Sequence, residues 1–116
     1  MKLSKFLYPL QGLQQIFKRD NNFLYHIIAA LIVILISFLL GINSLEWLFI
    51  ISAIFFVLIT EVINTAIEYT VDLFTDSYSI YAKHAKDLGA LAVLLASIYA
   101  VIIGMIILLP YLIQLF

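Results

Sequence analysis

The sequence predicts an all-α integral membrane protein of three transmembrane helices, preceded by an amphipathic helix at the membrane surface. Three observations carry this. Of 116 residues, 66% are hydrophobic and only 11% are charged, with a mean hydropathy of +1.17; soluble domains are nearer half apolar and a quarter charged. The apolar residues gather into three runs, each long enough for a ~30 Å hydrocarbon layer at ~1.5 Å per residue. All six Lys and Arg residues stand at the ends of those runs, in two places. A chain this short is one small domain, with too little polar surface to solvate a globule. The excess apolar surface calls for lipid or partner subunits. There is no cysteine, which excludes disulfides and thiolate metal sites.

The first element is a surface helix over 1–21. Leu3, Phe6, Leu10, Leu13 and Phe17 recur at steps of three and four, with Lys2, Lys5, Gln11, Gln14, Gln15 and Lys18 between them. That pattern suits a helix lying in the interface, with Pro9 and Gly12 expected to bend or interrupt it. Span one is 23–42, FLYHIIAALIVILISFLLGI. It lacks a small-residue cleavage site near its end and reads as a retained anchor. A short turn leads to span two, 45–72, whose first half reads WLFIISAIFFVLI from Trp47 and is apolar apart from Ser52, and whose second half is not. A polar cytoplasmic loop over 73–84 precedes span three, 85–109, with Pro110 and Tyr111 marking its end.

Lys2, Lys5, Lys18 and Arg19 precede span one, and Lys83 and Lys86 lie between spans two and three. The positive-inside bias then puts the N-terminus and the 2–3 loop in the cytoplasm and the C-terminus outside. Trp47 and Tyr111 suit interfacial aromatics on the outer side. The expected location is the cytoplasmic (inner) membrane.

Span two carries the chemistry. Glu61, Asn64, Thr65, Glu68 and Asp72 stand at offsets 0, 3, 4, 7 and 11, within about ±60° of one direction at ~100° per residue. Glu61 is roughly 16 Å from Asp72 along the axis. An intramembrane carboxylate costs about 2.5–3.5 kcal/mol on insertion scales, so this seam is expected to face other helices. Three spans hardly enclose it, which predicts a symmetric homo-oligomer. Asp20 and Asn22 at the head of span one, and Lys83, His84, Lys86 and Asp87 at the head of span three, fall at the same level. Carboxylates with lysines at a membrane surface suit a magnesium–nucleotide site, because magnesium is held by one or two carboxylates plus substrate phosphates. A deeper carboxylate could deprotonate an alcohol arriving from the bilayer. The sequence has no Walker A and no G-x-G-x-x-G pattern, so side chains and metal rather than a glycine cradle would hold the phosphates.

The string EVINTAIEYTVD (61–72), followed by AKHAKDLGALAVL (82–94), resembles the prokaryotic diacylglycerol kinase family, which includes undecaprenol kinases. The likeness covers essentially the whole chain. It implies a homotrimeric, three-span lipid kinase that moves the ATP γ-phosphate to a lipid hydroxyl with Mg2+. Its partners would be the lipid alcohol, ATP and the surrounding membrane lipids, with no nucleic acid. Carried over by position, the resemblance makes Glu61 the catalytic base, Glu68 and Asp20 the metal carboxylates, and Asn64 and Ala90 part of the lipid-alcohol site. It puts Tyr8, Asp20, Glu68, Ser77, Tyr78, Lys86 and Asp87 at the nucleotide, with Asp72 as structural support. Gly12-Leu13, eight residues before Asp20, fits the same pattern.

Three positions depart from the family. Asp20 stands where Glu is usual, one methylene shorter. A family arginine would fall at Met1, with Lys2 or Lys5 as available replacements. A small polar residue beside the lipid site is here Ala90. The Asp20-x-Asn22…His26 spacing resembles the undecaprenol-kinase branch more than the diacylglycerol branch.

The residues taken alone also admit plainer readings. Glu61 could be a protonated structural carboxyl between helices and Glu68 half of an ion pair. Asp72, Lys83 and Lys86 could be interfacial residues, as could His26, His84, Tyr8 and Tyr78, and Thr65 and Ser97 could serve packing alone. Buried carboxylates also serve proton- or ion-coupled channels and carriers, and a lipid-binding scaffold without chemistry is a third possibility.

Overall fold

The structure, a computed structural model, describes the backbone of residues 2–116 and the side chains from residue 5 onward. Met1 and the side chains of Lys2 and Leu3, invoked above, lie outside the described residues. The chain forms four helices: α1 (Lys2–Arg19), α2 (Asn21–Leu40), α3 (Ser44–Phe74) and α4 (Ile80–Leu115). No strand occurs among the described residues.

Each boundary has a local cause. Asp20 takes an extended conformation, which breaks α1 from α2, and its carboxylate accepts the Asn22 backbone N–H at 2.9 Å to cap α2. Gly41 ends α2 in the left-handed region at φ +67°, where a side chain would be strained. Two residues on, Asn43 and Glu46 form a reciprocal capping box: Asn43 Oδ1 accepts from Glu46 N at 2.9 Å and Glu46 Oε1 from Asn43 N at 3.0 Å. The segment between α3 and α4 is pinned by the Thr75 hydroxyl, which donates to the Ser77 carbonyl and accepts from its N–H.

Helix α3 is the centre of the fold. It packs chiefly on α4 and more lightly on α2, which in turn carries α1. At the Gly41 end, Ile42, Ile50, Ile107 and Leu108 close a small core, flanked by Trp47 and Tyr111. The Tyr111 hydroxyl donates to Glu46 Oε1 at 2.5 Å, tying the end of α4 to the start of α3. Farther along α3 the buried apolar residues are Ala53 and Val57, with Ala96 on α4. Small side chains of this kind let helices approach closely within a bilayer. At the opposite end Ile16 is buried, and Phe17 meets Phe23 edge-on at 5.1 Å, docking α1 on α2.

Helices α2, α3 and α4 are each long and apolar enough to cross a membrane. Their outward faces bear exposed Leu, Ile, Phe and Val along their length. The protein is a multi-pass membrane protein.

The helices run further than the apolar spans. Helix α1 is continuous through Pro9 and Gly12, where a bend or an interruption was expected. Proline removes a single helical hydrogen bond and its fixed φ is compatible with a helix; this segment is exposed, so the freed carbonyl can be solvated. Helix α4 likewise runs through Pro110 to Leu115, and it begins at Ile80, leaving only Thr75–Ser79 as connection. The early start is supported by a Lys83–Asp87 pair one turn apart, at 2.6 Å.

The inner core should respond unlike the outer faces. Ile50→Ala, at a site only 2% exposed, should cost about 2–4 kcal/mol through the cavity it leaves. Ile59→Ala, at an exposed face of the same helix, should cost far less. Thermal unfolding of both variants in the same detergent checks the contrast.

Candidate active site

The polar seam of α3 turns inward. Glu61 and Thr65 are buried, at 2% and 5% exposure, and Asn64 and Glu68 are half-buried. Asp72, on the last turn, is exposed. The seam meets the break between α1 and α2. Because one Asp20 oxygen caps α2, the other is free to face α3, where it accepts from Thr65 Oγ1 at 3.4 Å. The Glu61 carboxyl also faces Asp20, and its Oε2 stands 3.5 Å from His26 Nε2. That oxygen is buried and has no hydrogen-bond partner among the described residues.

One turn along, Asn64 Nδ2 donates to Glu68 Oε1 at 3.3 Å, while Asn64 Oδ1 is buried without a partner among the described residues. The carboxamide is seated against Gly89 of α4, where a Cβ would collide with Asn64 Oδ1. Glycine at this position lets α4 pass over the seam.

At the exposed end the charges form a hub. Asp72 accepts from Arg19 of α1 at 2.6 Å and from Lys86 of α4 at 2.8 Å, so one carboxylate joins three helices. Arg19 also lies 3.7 Å from Glu68 and covers the Tyr69 ring at 4.0 Å. The hydrogen bond that Arg19 donates to Asp72 raises the proton affinity of the guanidinium above the ordinary arginine value. Gln15 donates to the Tyr69 hydroxyl at 2.7 Å, a second tie from α1 to α3. Beside the hub is an open cleft of about 410 Å³, lined by Asp72, Ser77, Tyr78, Lys83, Lys86 and Asp87 among others.

Most of the residues singled out from the sequence therefore fall into two adjoining groups. Asp20, Glu61, Asn64 and Glu68 form the inner one. Asp72, Ser77, Tyr78, Lys86 and Asp87 form the outer one, where Lys86 is held by Asp72, and Asp87 by Lys83, rather than pairing with each other. Tyr8 belongs to neither: it is 66% exposed on α1, about three turns before Asp20. Ala90 follows Gly89 but is exposed. Among the described residues, no three His, Cys, Asp or Glu side chains stand at metal-cage spacing. The inner group nonetheless suits a hard cation: its carboxylates are crowded together, two of its oxygens are orphaned, and its donors are oxygens.

Sequence reasoning missed Arg19, His26 and Gly89 as parts of the site. Arg19 adjoins Asp20, and this adjacency was the available signal. His26 shares the inward stripe Phe23, His26, Ala30, Val33 and Ser37, at steps of three and four. Nothing local marks Gly89, because its role depends on what crosses it.

Comparison with known proteins adds a family likeness to this geometry. Residues 7–108 match the family model described as prokaryotic diacylglycerol kinase. An undecaprenol kinase of Bacillus subtilis is 38% identical over 105 residues, 90% of this chain and 85% of that protein. A diacylglycerol kinase of Escherichia coli is 34% identical over 95 residues, 82% of this chain and 78% of the relative. A diacylglycerol kinase of Synechocystis is 40% identical over 114 residues, 97% of this chain but 65% of the longer relative.

The hub predicts a local mechanical effect. Asp72→Asn removes the charge that holds both Arg19 and Lys86, so α1 should loosen from α3. Amide exchange over residues 13–19 should accelerate several-fold, while exchange around Ile50 and Ile107 stays as in the parent; hydrogen-exchange mass spectrometry in micelles reads both regions.

Proposed function

The chain belongs to the prokaryotic diacylglycerol kinase family and is a lipid kinase, and on that premise we propose that it transfers the γ-phosphoryl group of Mg-ATP to the hydroxyl of a membrane lipid alcohol. It does so at the cytoplasmic face of the inner membrane, as a homotrimer. Helix α1 lies at that face as an amphipathic surface helix, the N-terminus is cytoplasmic and the C-terminus is outside. The observation that carries the reading is the buried Glu61 carboxyl, with one oxygen unpartnered, on the same face of α3 as Glu68.

In this reading Glu61 is the general base. It takes the proton of the lipid hydroxyl as that oxygen attacks the γ-phosphorus and the bond to ADP breaks. Asn64, next to it on the seam and hydrogen-bonded to Glu68, orients the reacting groups. Asp20 and Glu68 would hold the magnesium ion, which when bound supplies charge neutralisation at the phosphates. Too few protein donors converge for a closed cage, which suits an ion that takes its remaining ligands from the nucleotide and water. Lys86 and Asp87 contact the nucleotide in the outer cleft, with Ser77 and Tyr78 from the adjoining connection. Tyr8 and Ala90, which are exposed and stand outside these groups, would meet substrate across subunits of the trimer.

The lipid arrives from the bilayer and the nucleotide from the aqueous side. That fits the buried inner group and the open outer cleft. The trimer follows the family resemblance; the exposed apolar faces of one chain can be met by lipid as well as by neighbouring subunits, and Glu61 is already buried within one chain. The acceptor is undecaprenol or diacylglycerol; the names of the relatives divide between them, and a side-by-side assay of the two alcohols assigns it.

Two substitutions test the assignment. Glu61→Gln, nearly isosteric, should lower turnover by roughly 10²-fold or more, the size of a lost general base, with nucleotide binding and oligomeric state retained. Turnover near the parental rate would remove Glu61 from the base role. Glu68→Ala should raise the magnesium concentration needed for half-maximal turnover, and an unshifted titration would move the ion elsewhere.

A further inference from the structure

Glu61 is 2% exposed, and its Oε2 is buried with no hydrogen-bond partner among the described residues. A carboxylate used as a base works best when one oxygen is anchored, because the anchor fixes the rotamer and leaves the other oxygen for the proton. The side chain within range of Oε2 is His26, whose Nε2 is 3.5 Å away. That is longer than a formed hydrogen bond, and bonds of this kind tighten when a site fills. The imidazole is brought there by the Asp20 cap, which starts α2 and sets its inward stripe.

The same imidazole has a second relation. It forms part of the wall of a groove of about 370 Å³ between α2, α3 and α4, otherwise lined by apolar and small residues including Ala30, Val57, Ser97 and Gly104. Among the described residues, His26 is therefore the one ionisable side chain lining the groove, and it also faces the Glu61 carboxyl.

We propose that His26 is a positioning residue for the phosphoryl transfer: its Nε2–H donates to Glu61 Oε2, holding the carboxylate turned so that its other oxygen receives the proton of the lipid hydroxyl. The inference rests on Glu61 being the base. His26 need not touch the nucleotide, and it adds a donor at Oε2, which otherwise has none among the described residues.

The test uses the purified full chain in lipid-containing micelles, with His26→Ala, His26→Gln, Glu61→Gln and the His26→Ala/Glu61→Gln double variant. Thermal unfolding and oligomeric state serve as fold checks. His26→Ala should lower kcat by roughly tenfold or more, the scale of a misplaced catalytic group, with KM for ATP within about twofold of the parent. His26→Gln, whose amide N–H can donate to the same oxygen, should recover a large part of the loss. The double variant should be no slower than Glu61→Gln alone, since the two residues act as a unit. A second readout needs no turnover: the His26 ring-nitrogen NMR resonances should shift on Glu61→Gln. Parental kcat in His26→Ala, no recovery with His26→Gln, further slowing in the double variant, or unmoved resonances would each overturn the proposal. The base reading fails separately, through parental turnover in Glu61→Gln; if Glu61→Gln is inactive and His26→Ala is not, only the role of His26 falls.

Discussion

A carboxyl group within a hydrocarbon layer has to be met by protein, and Glu61 makes that demand at the centre of this chain. Leaving it against lipid would cost several kcal/mol. The chain meets it by bending around it. The break at Asp20 brings one helix end against the seam, α2 follows with His26, and α4 crosses one turn away over Gly89. The largely apolar remainder of α3 could pack in many rotations; this one carboxyl removes most of them. Its burial therefore sets the orientation of α3, and α3 in turn organises the other helices.

Charge balance along the seam explains the division into two groups. At the outer end Asp72 has two cations and is neutralised within the chain. At the inner end Asp20, Glu61 and Glu68 have one arginine 3.7 Å from Glu68 and one imidazole 3.5 Å from Glu61. A cluster with more acid than base is stable as built only if protons or cations join it. Proton uptake at Glu61 and a divalent ion at Asp20 and Glu68 are the two contributions the proposed reaction supplies. The outer group has a different character: Lys86 and Arg19 are already engaged by Asp72, so incoming phosphates would draw on cations that are held in place rather than free.

What could be read beforehand follows from periodicity. The three spans and the seam were legible because lipid imposes a strict solvent rule and because a helix maps spacing onto direction. Glu61, Thr65 and Glu68 fall together as their offsets require. Proline was a partial guide: helices α1 and α4 run on through Pro9 and Pro110, both at exposed positions, because the remaining hydrogen bonds of each helix are intact. Arg19 and His26 carried only indirect signals, an adjacency to Asp20 and a place in the inward stripe of α2, and Gly89 carried none, because their roles arise between helices. A glycine on α4 acquires meaning only from the asparagine that crosses it, and a histidine on α2 only from the carboxylate it faces.

The distance along α3 constrains how the two substrates must meet. Glu61 and Asp72 are separated by roughly 16 Å at ~1.5 Å per residue, with Glu68 between them. Under the proposed reaction a nucleotide held in the outer cleft must therefore point its terminal phosphate inward past Glu68. The lipid hydroxyl must rise to Glu61 from the bilayer side. Neither substrate has to cross the other's solvent: the phosphates remain among Asp20, Glu68, Lys86 and Arg19, and the tail remains against apolar helix faces. A helix that is charged at one end and apolar at the other is the simplest scaffold on which a water-soluble donor and a water-insoluble acceptor can share one line of side chains.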